Sequence, residues 1–241
     1  MRDKKSPPGI YPQSRAIGGV SRHAFSILPG LPTQFSRRLL ANAKSLLLAE
    51  RAILFRAGDV ADGCYRLEQG LLKVCIASPQ RDERILAVLG PGSIVGELGA
   101  IDGLPRSATV AAIRESRLTF ISRDAFLESL RENPTFYSDL VTVLVSRLRE
   151  ADDTMAAASF LSVKARVIRA LLELAEHLGR ETEPGKIVIF HKIRQSDIAA
   201  MAGVARENVS RCMTDLKRRG LIGKSADHYF IEDKPKLLQE A

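Results

Sequence analysis

Several things are scarce in this 241-residue chain, and each scarcity removes a class of function. There is no tryptophan, and aromatic residues make up only 5% of the chain. Three cysteines, Cys64, Cys75 and Cys212, are odd in number and far apart. That rules out a disulfide framework and any Cys-x-x-Cys metal spacing, and it points to a reducing compartment, the cytoplasm. The four histidines do not cluster in sequence, so no metal or histidine-based catalytic site is expected. No run approaches the roughly 20 apolar residues of a membrane span. The N-terminus is basic but lacks the apolar stretch of a secretory signal. Residues 1–24 are rich in Pro, Gly and Ser and read as a flexible arm.

What is present is positive charge. Lys and Arg number 36 against 28 acids, a net charge of +8. Such a surplus favours nucleic acid or an anionic surface as partner, and says nothing about fold.

From about residue 45 to 125, short apolar runs alternate with turn residues. Ala52–Phe55 precedes Ala57-Gly58-Asp59, Leu71–Ile76 follows Gln69-Gly70, and Ile85–Leu89 precedes Gly90-Pro91-Gly92. Ala108–Ile113 and Leu118–Ile121 follow, separated by a charged break. This spacing predicts a β-barrel or sandwich. After Asn133-Pro134 the period changes. Val141, Leu144, Leu148, Ala151, Met155 and Ala158 recur at alternating threes and fours, the seam of a paired helix. The same pattern also fits an amphipathic helix lying on its own domain. Ser162–Leu178 continues as helix, Gly179 and Pro184-Gly185 make a loop, and Lys186–Phe190 is a short strand.

Residues 195–222 read as two helices joined at Gly203. Ile198, Ala199 and Ala202 face inward on the first, and Val209, Cys212, Met213 and Leu216 on the second. Arg206, Glu207, Ser210 and Arg211 are left on the outer face, where a recognition helix meets base edges. Arg donates two bonds to guanine, and Glu accepts from cytosine N4. Between Lys192 and Lys224, eight Lys or Arg, including Arg194 and Lys217, face three acids, which suits phosphate contacts. Residues 220–222 and 228–231 can pair as the wing of a winged helix. Ala205 stands where a Ser or Thr cap is usual. Cys212 faces inward, as an inert core thiol rather than a redox handle.

The segment GELGAIDGLPRSATV, residues 96–110, carries a carboxylate, a guanidinium and a hydroxyl on one Gly-bounded loop. A carboxylate accepts from a ribose hydroxyl, while Arg and Ser grip a phosphate. Ala100–Asp102 is expected to form a short helical turn.

This segment resembles the phosphate-binding cassette of cyclic-nucleotide-binding domains. From about residue 25 onward the chain resembles the CRP/FNR (catabolite activator) superfamily. RENVSR, residues 206–211, is similar to that superfamily's recognition helix. The resemblance implies an α+β chain with a double-stranded β-helix (jelly-roll) barrel over 25–135. A dimerisation helix over 136–162 and a winged helix-turn-helix over 163–241 would follow. It implies a homodimeric, non-enzymatic transcription regulator, bound to double-stranded DNA and working with RNA polymerase. Glu97 would bind the ribose, Arg106 and Ser107 the cyclic phosphate, and Gly96 and Leu98 would line the pocket. Two positions depart from the pattern. Where the cyclic-AMP activators place hydroxyls for adenine, this chain has Ala151 and Asp152. Asp152 is acceptor-only and suits an adenine amino group or the donor edge of guanine, so cyclic AMP and cyclic GMP both stay open. The iron–sulfur branch is a poor match, because its N-terminal cysteine cluster is missing. Two alternatives remain: a regulator of the same fold answering another signal or none, and a nucleotide-binding interaction module.

Overall fold

The computed structural model describes residues 44–77, 83–225 and 228–241; the arm expected over 1–24 lies outside them. Among the described residues, the N-terminal unit has six strands: β1 (Lys44–Leu48), β2 (Ile53–Phe55), β3 (Gly63–Ala77), β4 (Glu83–Leu89), β5 (Ile94–Val95) and β6 (Thr109–Ser122). They pair antiparallel in the order β1-β6-β3-β4, with β2 on β6 and β5 on β3. β3 and β6 carry the sheet, and their register slips three times between Leu67 and Leu72. Such bulges bend strands and let a sheet wrap around a core.

Those slips correct two expectations. Ala108–Ile113 and Leu118–Ile121 are not separate strands, and Gln69-Gly70 does not end one. The charged break instead stays in β6, because Ser116 turns inward and is satisfied there. Its hydroxyl accepts from the Leu71 amide (3.1 Å) and donates to the Arg114 carbonyl (2.8 Å). Gly70, at φ 107°, makes room, since a Cβ there would lie 2.2 Å from Ser116 Oγ.

A short helix, α1 (Glu97–Asp102), links β5 to β6, and α2 (Arg123–Glu132) follows β6. The long helix α3 (Pro134–Phe160) begins with Pro at its first position, and the Asn133 side chain accepts from the Thr135 and Phe136 amides. Phe136, Leu140 and Val143 face the barrel and share a core with Cys64, Ile94, Ala100, Ile121 and Phe126. Phe126 meets Phe136 edge to face, with centroids 5.8 Å apart. The first half of α3 therefore lies on its own domain. Along the expected seam, Leu144 is half-buried there, while Val141, Leu148, Ala151, Met155 and Ala158 are exposed on the single chain. Phe136→Ala should cost about 3–5 kcal/mol of stability. Denaturant unfolding checks this, and a loss below about 1 kcal/mol would contradict the packing.

The C-terminal unit comprises α4 (Val163–Leu178), β7 (Gly179–Glu183), β8 (Lys186–Ile189), α5 (Gln195–Ala202), α6 (Arg206–Arg218), β9 (Ile222–Ser225), β10 (His228–Ile231) and α7 (Lys234–Gln239). Its sheet runs β7-β8-β10-β9. Gly179 opens a strand rather than a loop. It is wedged against the Ala175 carbonyl and Ile187, so the chain passes straight from α4 into the edge of the sheet. The expected wing is present as β9 paired with β10, but its first strand is Ile222–Ser225 rather than residues 220–222. One buried apolar cluster spans both units, joining Leu71, Cys75, Ile85 and Val88 of the barrel to Ile168, Leu171 and Ile198.

Candidate functional site

The cassette is shaped by three glycines. Gly96, at φ 82°, precedes α1, and a Cβ there would fall 2.5 Å from Arg106 Nη1. Gly99 rests on Ala61 and the Leu104 carbonyl, where a Cβ would meet atoms at 2.4 and 2.8 Å. Gly103, at φ 75°, ends α1. Any side chain at Gly96 or Gly99 would push Arg106 or the loop out of place. α1 also starts earlier than expected, at Glu97 rather than Ala100.

Glu97 is 2% exposed. A buried carboxylate must be paired, and its partner is Arg147 of α3. The same guanidinium donates from Nη2 to the Ile94 carbonyl, 2.7 Å. The local sequence does not single out Arg147, but the helix period does. Leu140, Val143 and Arg147 follow one face, so a cation stands where the inward apolar row continues.

Arg106 is 4% exposed. Its Nη1 donates to the Gly63 carbonyl (2.6 Å) and the Gly96 carbonyl (2.9 Å), and Nη2 to Asp62 Oδ1 (3.1 Å). The guanidinium carbon lies 4.4 Å from the Phe55 ring centre. Nε is buried with no partner among the described residues. The fork formed by Nε and Nη2 is therefore opposed, among the described residues, only by the exposed Asp62. Ser107 and Leu98 are exposed beside it. The loop so brings together Gly96, Glu97, Leu98, Arg106 and Ser107, with Glu97 and Arg106 charged and held. Asp152 stands exposed further along α3, among the uncovered seam positions.

In the C-terminal unit, α5 and α6 meet at Gly203, which is left-handed at φ 62°. Ile198, Ala199, Ala202, Val209, Met213 and Leu216 are buried as expected, while Cys212 is only partly so. Burial pushes the Cys212 thiol up, which disfavours the reactive thiolate. Cys64 is raised further, by burial and then by Glu97. Ala205 caps α6 without a side-chain bond. Arg206, Glu207, Ser210 and Arg211 are all exposed. Arg211 Nη2 donates to Asn208 Oδ1, which aims its guanidinium along the helix surface.

Arg194 and Arg206 line one hollow of about 480 Å³, together with Lys192, Lys224 and Tyr229. Lys217 does not line the hollow itself but stands at its Tyr229 side. Its ammonium lies 5.8 Å from the Tyr229 ring centre, with Lys224 at 5.5 Å. Lys224 and Tyr229 belong to the wing, and their juxtaposition with the helices depends on the β9–β10 pairing rather than on any local motif. Among the described residues, no group of three His, Cys, Asp or Glu side chains is placed to hold a metal, and no helix is long and apolar enough to cross a membrane.

Comparison with known proteins agrees with both halves. The family model of the cyclic nucleotide-binding domain matches residues 46–133, and that of the Crp-like helix-turn-helix domain matches residues 165–240. The CRP-like cAMP-activated global transcriptional regulator of Mycobacterium tuberculosis is 31% identical over 188 residues, covering 78% of this chain and 84% of that protein. The cAMP-activated global transcriptional regulator CRP of Escherichia coli O157:H7 is 30% identical over 173 residues, covering 71% and 81%. Among solved structures, a transcriptional regulator of the CRP/FNR family from Thermus thermophilus superposes with a TM-score of 0.70 at 26% identity, covering 82% of this chain and 99% of that one. The c-di-GMP-responsive global regulator CLP of Xanthomonas campestris superposes at 0.74 with 22% identity, over 83% and 99%, and shows the shared fold. With a wrapped antiparallel sheet carrying the cassette, a long helix and a winged helix-turn-helix in this order, the chain belongs to the CRP/FNR family of transcription regulators.

Proposed function

We propose that the chain is a cytoplasmic, homodimeric regulator whose DNA binding responds to a cyclic nucleotide, with cyclic AMP favoured. The observation that carries this reading is the placement of Glu97 and Arg106. Both are buried and held by one Gly-bounded loop, and among the described residues the Nε and Nη2 edge of Arg106 is opposed only by Asp62. That edge suits two phosphate oxygens, with Asp62 swinging into solvent and the Ser107 hydroxyl adding a bond. Glu97 keeps an oxygen for a ribose hydroxyl, and the Gly96 and Leu98 backbone lines the sugar. The relatives named as cAMP-activated support cyclic AMP. Asp152 on the exposed side of α3 leaves cyclic GMP as the competitor. Calorimetric titration with both nucleotides tests this. Micromolar binding of cyclic AMP is expected, and no heat with either at millimolar concentration would overturn the reading.

One observation favours a second reading, a regulator of this fold that needs no nucleotide. Glu97 is already paired by Arg147, and three protein acceptors already take bonds from the Nη atoms of Arg106, so all of the site but Arg106 Nε is paired within the chain.

Two copies paired along α3 present two identical recognition helices. A near-palindromic site is then required, with half-site centres about 34–36 Å apart, the spacing common to helix-turn-helix dimers. Arg206, Glu207, Ser210 and Arg211 would read bases, Arg194 and Lys217 would meet phosphates, and RNA polymerase would be the partner on the promoter. Arg211→Ala should cost about 1–3 kcal/mol at one base pair and relax preference there. Lys217→Ala should weaken all sequences alike and lower the salt slope by about one. Site selection from random DNA at fixed salt reads both. An enriched motif without two-fold symmetry, or one unchanged by Arg211→Ala, would contradict this docking.

A further inference from the structure

We infer that the barrel holds the DNA-reading unit through an arginine–histidine latch, Arg114 to His191, which opens when the imidazole takes up a second proton. Arg114 lies on β6. Its Nη1 is 3.0 Å from Nε2 of His191, in the segment between β8 and α5, and its Nη2 reaches back 3.4 Å to the Gly70 carbonyl. A guanidinium can only donate, so Nε2 must be the lone-pair nitrogen and the ring must be neutral. Protonation would set donor against donor and charge against charge.

The latch belongs to a wider contact between the two units. Arg84 of β4 presses on the turn between α5 and α6, where a Cβ at Gly203 would lie 1.3 Å from its Nη1. Arg166 donates to the Gly203 carbonyl at 3.2 Å. Two cations therefore sit at the C-terminal end of α5, the end where a helix dipole favours them. Ile85 and Val88 of β4 share the buried cluster with Ile198 of α5. The apolar part of this contact does not vary with pH. The Arg114–His191 bond does, and α5 leads through Gly203 straight into the recognition helix.

The groups acting on the imidazole are Arg114 from β6, the Leu178 backbone at the end of α4, and His228 from β10. Burial first, then Arg114, and more weakly His228, hold its pKa below the ordinary value, while the Leu178 backbone pulls the other way. The sign follows from linkage. A freed imidazole titrates near its ordinary value, about 6.5, and the docked one lower. Docking is therefore complete above about pH 6.5 and is lost as pH falls through the docked value. Each unit of depression weakens docking about tenfold in acid.

Hydrogen exchange of the full chain without nucleotide or DNA tests the latch, so its outcome does not depend on the ligand reading. Between about pH 7.5 and about pH 5.5, after correction for intrinsic rates, wild-type protection across β4 and α5 should fall, with about tenfold as the ceiling set by the freed imidazole's ordinary value. His191→Gln, whose amide oxygen still accepts from Arg114, should keep its protection at both values. Arg114→Met should show the acid behaviour already at neutral pH. Glu173 of α4, pushed up to about 7 mainly by burial, titrates in the same range but is retained in every variant. A fall of equal size in wild type and His191→Gln would overturn the latch. So would neutral-pH protection in Arg114→Met equal to that of wild type.

Discussion

Arg106→Ala should weaken cyclic-nucleotide binding at least tenfold and lower the melting temperature together. Each charge-assisted bond to phosphate contributes about 1.5–3 kcal/mol, so losing the fork weakens binding tenfold to more than a hundredfold. The fold suffers as well, because Nη1 satisfies the Gly63 and Gly96 carbonyls. Losing these bonds costs about 1–3 kcal/mol, less at Gly96, whose carbonyl still accepts from the Ala100 amide at 3.4 Å. Arg106→Lys separates the two effects. An ammonium can reach a carbonyl but presents no planar fork, so this variant should stay folded and still lose at least tenfold in affinity. Calorimetry alongside thermal unfolding reads both quantities. A lysine variant that binds as well as wild type would show that the guanidinium edge is not the phosphate subsite.

Leu148→Asp should turn the protein into monomers and abolish binding to two-fold DNA. Leu148 is 63% exposed and Met155 69%, and Val141 and Val145 lie uncovered with them on α3. An apolar stripe of this kind on a long helix suits coverage by a second copy. A charge in its middle would have to be buried unpaired in the dimer, at a cost of several kcal/mol. Within one chain the same change is nearly neutral, because Leu148 touches little of its own core. Light scattering should therefore report a folded monomer, and a single recognition head should hold an operator at least a hundredfold more weakly. A wild-type monomer at micromolar concentration, or a dimeric Leu148→Asp, would refute pairing along this face.

The two units differed in how far they could be read from sequence. The helix-turn-helix was legible residue by residue, since its inner face is a short-range period and its outer face is what remains. Glycines 96, 99 and 103 marked the cassette because a left-handed turn or a close approach leaves few other choices. Long-range pairing was less legible. The charged segment 114–117 reads as a break, yet it continues β6, because Ser116 finds its partners at Leu71 and Arg114. Arg147 continues the inward row of Leu140 and Val143, but its partner is legible only once the barrel places Glu97 beside it. The seam on α3 was open to two readings, and only the packing on its own domain is visible in the single chain. Its first half lies on the barrel through Phe136, Leu140 and Val143, and its later apolar positions remain uncovered.

The central claim is that a nucleotide at the cassette changes DNA binding by the winged helix. Its most direct test is fluorescence anisotropy on a two-fold operator recovered by selection, with and without saturating cyclic AMP at fixed salt. Coupling of about 1–3 kcal/mol is typical of such linkage, so operator affinity should rise about five- to 150-fold with nucleotide. That gain should vanish in Arg106→Lys. Equal affinity with and without nucleotide, in protein that calorimetry shows to be saturated, would contradict the account.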